Sequence, residues 1–243
     1  MTTMTFTAFD YDAAFVAEQV QAYPAIDAFE ARMGAMVDRG QLEAAARVLA
    51  CPVKAHPPNW QHGRVLYVAA RHALTSAIYA QAPPSPVLLL DIGSAKGFSA
   101  LVLQWALRDA GIPGRVVSLD VIDPLARVRR NTVAEVDGYL TLAETLAPWR
   151  EAQSIEFVQS DSRAWLAAHT DRVHVAYVDG KHTYEAVSED VDLLAGRQRA
   201  GDVVVCDDLQ IPGVAKAVRE LAGYEVEHLA AKPERAYAIA RRR

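Results

Sequence analysis

Six aspartates, Asp91, Asp120, Asp161, Asp179, Asp207 and Asp208, each close or follow a short apolar run of this 243-residue chain. In an open parallel sheet, ligands bind beyond the carboxyl ends of the strands, where such acids would stand. One acid there means little, because turns favour aspartate. Five strand ends carrying an acid are hard to explain by turn preference alone, and they predict a binding site. The first run, Val87-Leu88-Leu89-Leu90-Asp91-Ile92, leads into Gly93-Ser94-Ala95-Lys96-Gly97 and then into helical spacing from Ala100 to Ala110. Strand, glycine turn and helix start make a nucleotide-type corner, with free N–H groups and the positive end of the helix dipole facing the ligand. A dinucleotide fingerprint would place its middle glycine at Ala95, so a ligand without a pyrophosphate is favoured. Asp120, one strand later, is placed to accept from both hydroxyls of a ribose. Asp161 and Ser162 follow the third strand, where an adenine amino group could be read or where the next helix could simply be capped.

The elements that must position these residues alternate. Strands are predicted at 87–90, 116–119, 155–158, 173–178, 203–206, 224–229 and 237–239. Helices are predicted at 100–110, over most of 125–149 with a break near Asp137-Gly138, and at 162–169, 184–199 and 213–221. Alternation of this kind means a parallel sheet wound on both faces. The last two strands are separated only by the short turn at Lys232-Pro233-Glu234, so they must pair antiparallel. The fold class is therefore α/β, a Rossmann-like, doubly wound, mostly parallel seven-stranded sheet with an antiparallel last strand. Apolar residues at three and four spacing predict helices at 12–22, 25–39, 42–50 and 60–81 ahead of the sheet, with Gly40 as a helix stop. Cys51 to Asn59 should be a loop, and Pro83-Pro84-Ser85-Pro86 delivers the chain to the first strand. Residues 1–82 are expected to form a helical cap or lid, and 83–243 the ligand-binding domain.

Composition excludes several classes. Hydrophobic residues make up 51% and charged residues 23%, as in a soluble globular protein. A net charge of −5 gives no electrostatic footprint for nucleic acid. Two cysteines, Cys51 and Cys206, without C-x-x-C spacing argue against a zinc site or a disulfide framework and suit a reducing cytoplasm. No run resembles a signal peptide or a membrane span. A cytoplasmic protein is expected, with a homodimer through the apolar N-terminal helices left open.

Asp91-Ile-Gly-Ser-Ala-Lys-Gly97, Asp120, Asp161 and the closing antiparallel pair together resemble the class I S-adenosylmethionine-dependent methyltransferases. Val178-Asp179-Gly180-Lys181-His182-Thr183-Tyr184-Glu185, followed by Gly201-Asp202-Val-Val-Val-Cys-Asp207-Asp208, is similar to a branch reading D-G-x-H-x-Y and then G-G-x-x-x-x-D-D. That branch lies near metal-dependent O-methyltransferases of catechols, caffeoyl thioesters and natural-product sugars. The resemblance covers roughly 87–243. It implies S-adenosylmethionine as cofactor, with Gly93, Ala95, Gly97 and Ser99 around its methionine part and Asp91 and Ser94 in the same corner. Asp120 and Val121 would then lie at the ribose, and Asp161 and Ser162 at the adenine edge. It also implies that Asp179, Asp207 and Asp208 hold a divalent cation. Three converging carboxylates would repel one another unless a cation lay between them. All-oxygen ligation suits Mg²⁺, then Mn²⁺ or Ca²⁺. The metal would bind an acceptor hydroxyl, and His182 or Lys181 would take its proton. An imidazole titrates near neutrality, which favours His182. Asp179 belongs to the same catalytic group.

His56-Pro57-Pro58-Asn59-Trp60 superficially matches the N-P-P-Y signature of nucleic-acid amino-methyltransferases, but Cys51-Pro-Val-Lys ahead of it makes a poor strand. A lid from His56 to Arg64 fits better, with Trp60, His62 and Arg64 as substrate contacts. The expected activity is O-methylation of a hydroxylated small molecule, with no nucleic acid or membrane partner. Alternatives are a metal-independent small-molecule methyltransferase, a nicotinamide oxidoreductase (disfavoured by Ala95 and the antiparallel ending) and a non-enzymatic cofactor-binding protein.

Overall fold

The computed structural model describes residues 8–50, 58–76, 86–128 and 139–243. Four helices come first: α1 (Ala8–Gln19), α2 (Pro24–Met33), α3 (Arg39–Leu49) and α4 (His62–Leu74). Strand β1 (Val87–Ile92), α5 (Phe98–Ala110) and β2 (Gly114–Asp120) open the sheet. A five-residue helix α6 (Leu142–Leu146) and a 3-10 turn at Arg150–Ser154 lead to β3 (Ile155–Gln159). Then come α7 (Ser162–Ala168), β4 (Val175–Val178), α8 (Tyr184–Ala195), β5 (Val203–Cys206), α9 (Pro212–Arg219), β6 (Tyr224–Lys232) and β7 (Arg235–Arg242). The seven strands lie in the order β3-β2-β1-β4-β5-β7-β6. β1 to β5 are parallel, and β7 runs antiparallel to both β5 and β6.

Apolar residues on both sides of each central strand build two cores. Leu88 and Leu90 of β1 pack with Trp165, Val187, Val191 and Val214 under α7, α8 and α9. Val87 and Leu89 face the other way, into a cluster with Phe15, Phe29, Leu66, Trp105 and Tyr177. The N-terminal helices therefore share an apolar core with one face of the sheet. Full burial of each such side chain contributes about 1.5–3 kcal/mol. The expected division between residues 82 and 83 lies outside the described residues.

Several boundaries differ from expectation for local reasons. Gly34, in left-handed conformation at φ 66°, ends α2, and its N–H bonds to Glu30 O. Gly40 instead falls in the first turn of α3, because Asp38 caps that helix by accepting from Gln41 N at 2.7 Å. The helix expected at 60–81 closes at Leu74 with Thr75 as cap. The start of the helix expected at 125–149 is a turn, since Asp123 Oδ1 accepts from Leu125 N at 2.8 Å. Its expected break at Asp137-Gly138 lies outside the described residues, as do most of the 51–59 loop and of the 83–86 proline run. No helix among the described residues is long and apolar enough to cross a membrane.

Candidate active site

The turn after β1 is shaped by close backbone contact. Gly93 has φ +104°, and a Cβ there would lie 2.4 Å from Asp179 O. Its N–H and that of Ser94 both donate to Leu119 O, at 2.9 and 3.1 Å. Ala95 sits at φ 43°, and Gly97, at φ 81°, is the N-cap of α5. This places the first turn of α5, Phe98 to Leu101, directly behind the loop, with its N-terminal dipole facing the rim.

Two acids from β1 and β2 meet this turn. Asp91 is fully buried, and its Oδ2 accepts from Ser118 Oγ at 2.5 Å. Ser118 also touches Ser94 Oγ at 2.6 Å. Burial pushes the Asp91 carboxyl up to about 7, with the Ser118 and Ser99 hydroxyls restraining the rise. Asp91 Oδ1 has no hydrogen-bond partner among the described residues. Asp120 closes β2, as expected, and reaches back to the turn. Its Oδ2 accepts from Ala95 N and its Oδ1 from Ile122 N, both at 3.0 Å. Each oxygen keeps a lone pair, so the carboxylate is pinned and still able to accept from a diol. Val121, beside it, is 68% exposed, an apolar surface open to a flat ligand.

Asp161 and Ser162 are placed otherwise. Asp161 caps α7 through Arg163 N (3.1 Å) and Ala164 N (3.4 Å), and Arg163 Nε and Nη2 hold it as well. Ser162 Oγ donates to Asp190 on α8 at 2.6 Å. The capping alternative is the one realised, and it uses the polar atoms that were expected to read an adenine.

At the ends of β4 and β5 the acids are again together, but their arrangement differs from the expected trio. Asp179 Oδ1 meets His182 Nε2 at 3.1 Å, and His182 Nδ1 meets Asp208 Oδ2 at 3.3 Å. Asp179, His182 and Asp208 offer ligand atoms within 4.8 Å of one another. Asp207 is turned into the protein, where Oδ2 accepts from Tyr177 OH at 2.7 Å and Oδ1 from Asp208 N at 2.6 Å. Asp208, at φ 55°, also accepts on Oδ1 from Arg235 Nη1 (2.8 Å) and Gln210 Nε2 (2.6 Å). Burial, with the neighbouring Asp207 charge, raises the Asp179 carboxyl to about 6. Burial and Asp208 raise Asp207 to about 6. The bond to Asp179 outweighs burial and raises His182. Both ring nitrogens of His182 thus face carboxylates, Nε2 that of Asp179 and Nδ1 that of Asp208. Lys181 is exposed beside it. Asp179 Oδ2 has no donor among the described residues and is the uncommitted oxygen of the group.

The three residues expected to contact substrate separate. His62, in the first turn of α4, stacks at 11° on Tyr177 and meets Phe98 edge-on at a centroid distance of 5.0 Å. Desolvation holds its imidazole down at about 4, against the pull of Asp179 and Asp208. It is the one of the three that stands beside the acids. Trp60 is buried against Phe15. Arg64 is also buried, and its guanidinium is consumed by Glu30 (3.0 and 2.6 Å), Gln61 (3.1 Å) and Asp27. It ties α4 to α2 and is buried away from the acids at the sheet rim.

Residues 90–209 match a family model described as a methyltransferase domain. This stretch is a methyltransferase domain. The sheet order and the turn geometry agree with that match. The domain's architecture recurs in solved structures. An O-methyltransferase from Bacillus cereus in complex with S-adenosylhomocysteine is 13% identical over 98% of this chain and 100% of that one, with a TM-score of 0.54. A Podospora anserina methyltransferase bound to S-adenosylhomocysteine is 12% identical over 100% and 99%, also at 0.54. An rRNA methylase from Streptococcus thermophilus is 10% identical over 74% and 95%, at 0.52. Likeness at this level carries the fold and not the acceptor. A search of curated protein sequences found no match.

The methyltransferase site contains residues that spacing did not single out. Tyr177 lies inside β4 and reads as core, and Arg235 opens β7 beyond the matched stretch. A cation at the very start of the last strand is the signal that could have found Arg235.

Proposed function

We propose that this domain transfers the methyl group of S-adenosylmethionine to a hydroxyl of a small molecule. The observation that carries this reading is Asp179. It has one oxygen held by His182, the other uncommitted, and a backbone that abuts the Gly93 turn. The cofactor supplies a methyl group on a positively charged sulfur. The buried, unpartnered Asp91 Oδ1 suits an ammonium group at the turn, and Asp120 suits a ribose diol. Asp179 would take the proton of the acceptor hydroxyl, whose oxygen would receive the methyl group that the bound cofactor supplies. A carboxyl raised toward neutrality is matched to that task. His182 holds the carboxylate in place, and the neutral His62 flanks the acceptor from α4.

A net charge of −5 gives the chain no electrostatic footprint for a phosphate backbone, so small-molecule acceptors are favoured over RNA. The expected Mg²⁺ (or Mn²⁺ or Ca²⁺) trio does not converge on one ion as placed, because Asp207 is turned inward to Tyr177 and Asp208 Oδ1 already accepts from both Arg235 and Gln210. The helices of residues 1–82 would shape the acceptor pocket through α4. Incubation with methyl-labelled S-adenosylmethionine and a panel of catechols, glycosides and ribosomal RNA tests the reading. Label in a hydroxylated small molecule supports it, and label only in RNA refutes it.

A further inference from the structure

We propose that Arg235 and His182 occupy, against Asp208 and Asp179, the place of a divalent cation, so that the chain neutralises its own acidic rim and works without a metal. The inference rests on the methyl-transfer reading for its activity arm alone. Its basis is the donor set. A Mg²⁺ or Mn²⁺ site needs carboxylate lone pairs converging on one point. Asp207 points into the protein, with Oδ2 accepting from Tyr177 OH and Oδ1 from Asp208 N, and it is only 5% exposed. Asp208 Oδ1 accepts two donors, Arg235 Nη1 and Gln210 Nε2, which fill both its lone pairs. Asp208 Oδ2 faces His182 Nδ1, and Asp179 Oδ1 faces His182 Nε2. The same three side chains that lie close enough to bind an ion are therefore closed onto one another.

Arg235 cannot leave easily or lose its charge. It is the first residue of β7, paired across the hairpin with Lys232, and the next residue is anchored twice. Ala236 N donates to Gln210 Oε1 at 2.9 Å, and Ala236 O accepts from Leu209 N at 2.9 Å. Gln210 thus locks the strand and Asp208 together. A guanidinium stays protonated at any working pH, so an ion entering here would meet a fixed positive charge. Arg235 touches no reacting atom. It is a positioning residue acting through Asp208.

Binding of Mn²⁺ to the full chain, followed by electron paramagnetic resonance, tests this without reference to turnover. The wild type should bind Mn²⁺ no tighter than about 1 mM, the weak end for oxygen sites. Arg235→Gln frees Asp208 Oδ1 and should tighten binding at least about tenfold, whereas Arg235→Lys keeps the charge and should not. Methyl transfer by the wild type, once an acceptor is found, should persist in excess EDTA. Micromolar Mn²⁺ binding by the wild type, or equal weak binding by a folded Arg235→Gln, would overturn the proposal. If Arg235→Gln does not fold, the wild-type titration still decides. Failure to find any acceptor would count against the methyl-transfer reading and leave the Mn²⁺ titrations to judge this one.

Discussion

The carbonyl of Asp179 lies where a side chain on Gly93 would have to go, 2.4 Å from the Cβ position. The cofactor turn and the proposed base are thus one backbone unit, joined further by Asp179 N donating to Ile92 O at 3.0 Å. Any atom added at Gly93 pushes the two apart. Gly93→Ala should cost about 3 kcal/mol in urea unfolding, from the clash and the positive φ together. Gly180→Ala, whose Cβ would meet Ile92 Cγ2 at 3.3 Å, should cost clearly less. Equal costs would mean that the close approach at Gly93 is not what holds the corner.

Asp179→Asn keeps the shape of the side chain and removes its basicity. It should lower kcat by about 10²–10⁴-fold with little change in KM for the cofactor. His182→Gln, which loosens the carboxylate without removing it, should cost about tenfold. The reverse ranking, with His182 the more costly loss, would return the base to the imidazole.

Arg64 should prove structural. It is buried with Glu30, and removing one partner of a buried pair leaves the other charge stranded. Arg64→Gln should lose about 3 kcal/mol in chemical denaturation, eased by the Arg39 contact to Glu30, while KM for the acceptor stays unchanged in the folded fraction. A raised KM with unchanged stability would make Arg64 a substrate contact after all.

What could be read in advance follows from the range of the forces involved. Uninterrupted apolar runs such as Val87 to Leu90 show strands buried on both faces, and the acids that close them show a rim. The Asp120 contact to the turn was therefore visible in outline. Orientation was not. Asp161 and Asp120 look alike in sequence, yet one is taken by Arg163 and the α7 N–H groups while the other faces the turn. Asp207 and Asp208 are neighbours in the chain, but Tyr177 draws one inward and Arg235 fixes the other at the rim. Such choices depend on partners 27 to 30 residues away, which no local pattern specifies.

Asp190 gives a pH signature away from the rim. Burial raises its carboxyl to about 6, against the hydrogen bond from Ser162. The folded value lies above the unfolded one of about 3.9, so its contribution to stability is full below pH ~4 and is lost as pH rises through about 6. Asp190→Asn keeps an acceptor for Ser162 and removes the charge. The variant should exceed the wild type by about 2 kcal/mol at pH 8, with the gap closing toward pH ~4. Urea midpoints across that range check it, and a variant less stable at pH 8 would reverse the sign.

Calorimetric titration with S-adenosylhomocysteine tests most directly whether the rim holds this cofactor. The wild type should bind one equivalent, and Asp120→Ala, which loses the carboxylate placed for the ribose, should bind about a hundredfold more weakly at unchanged stability. No binding by the wild type, or undiminished binding by a folded Asp120→Ala, would contradict the account.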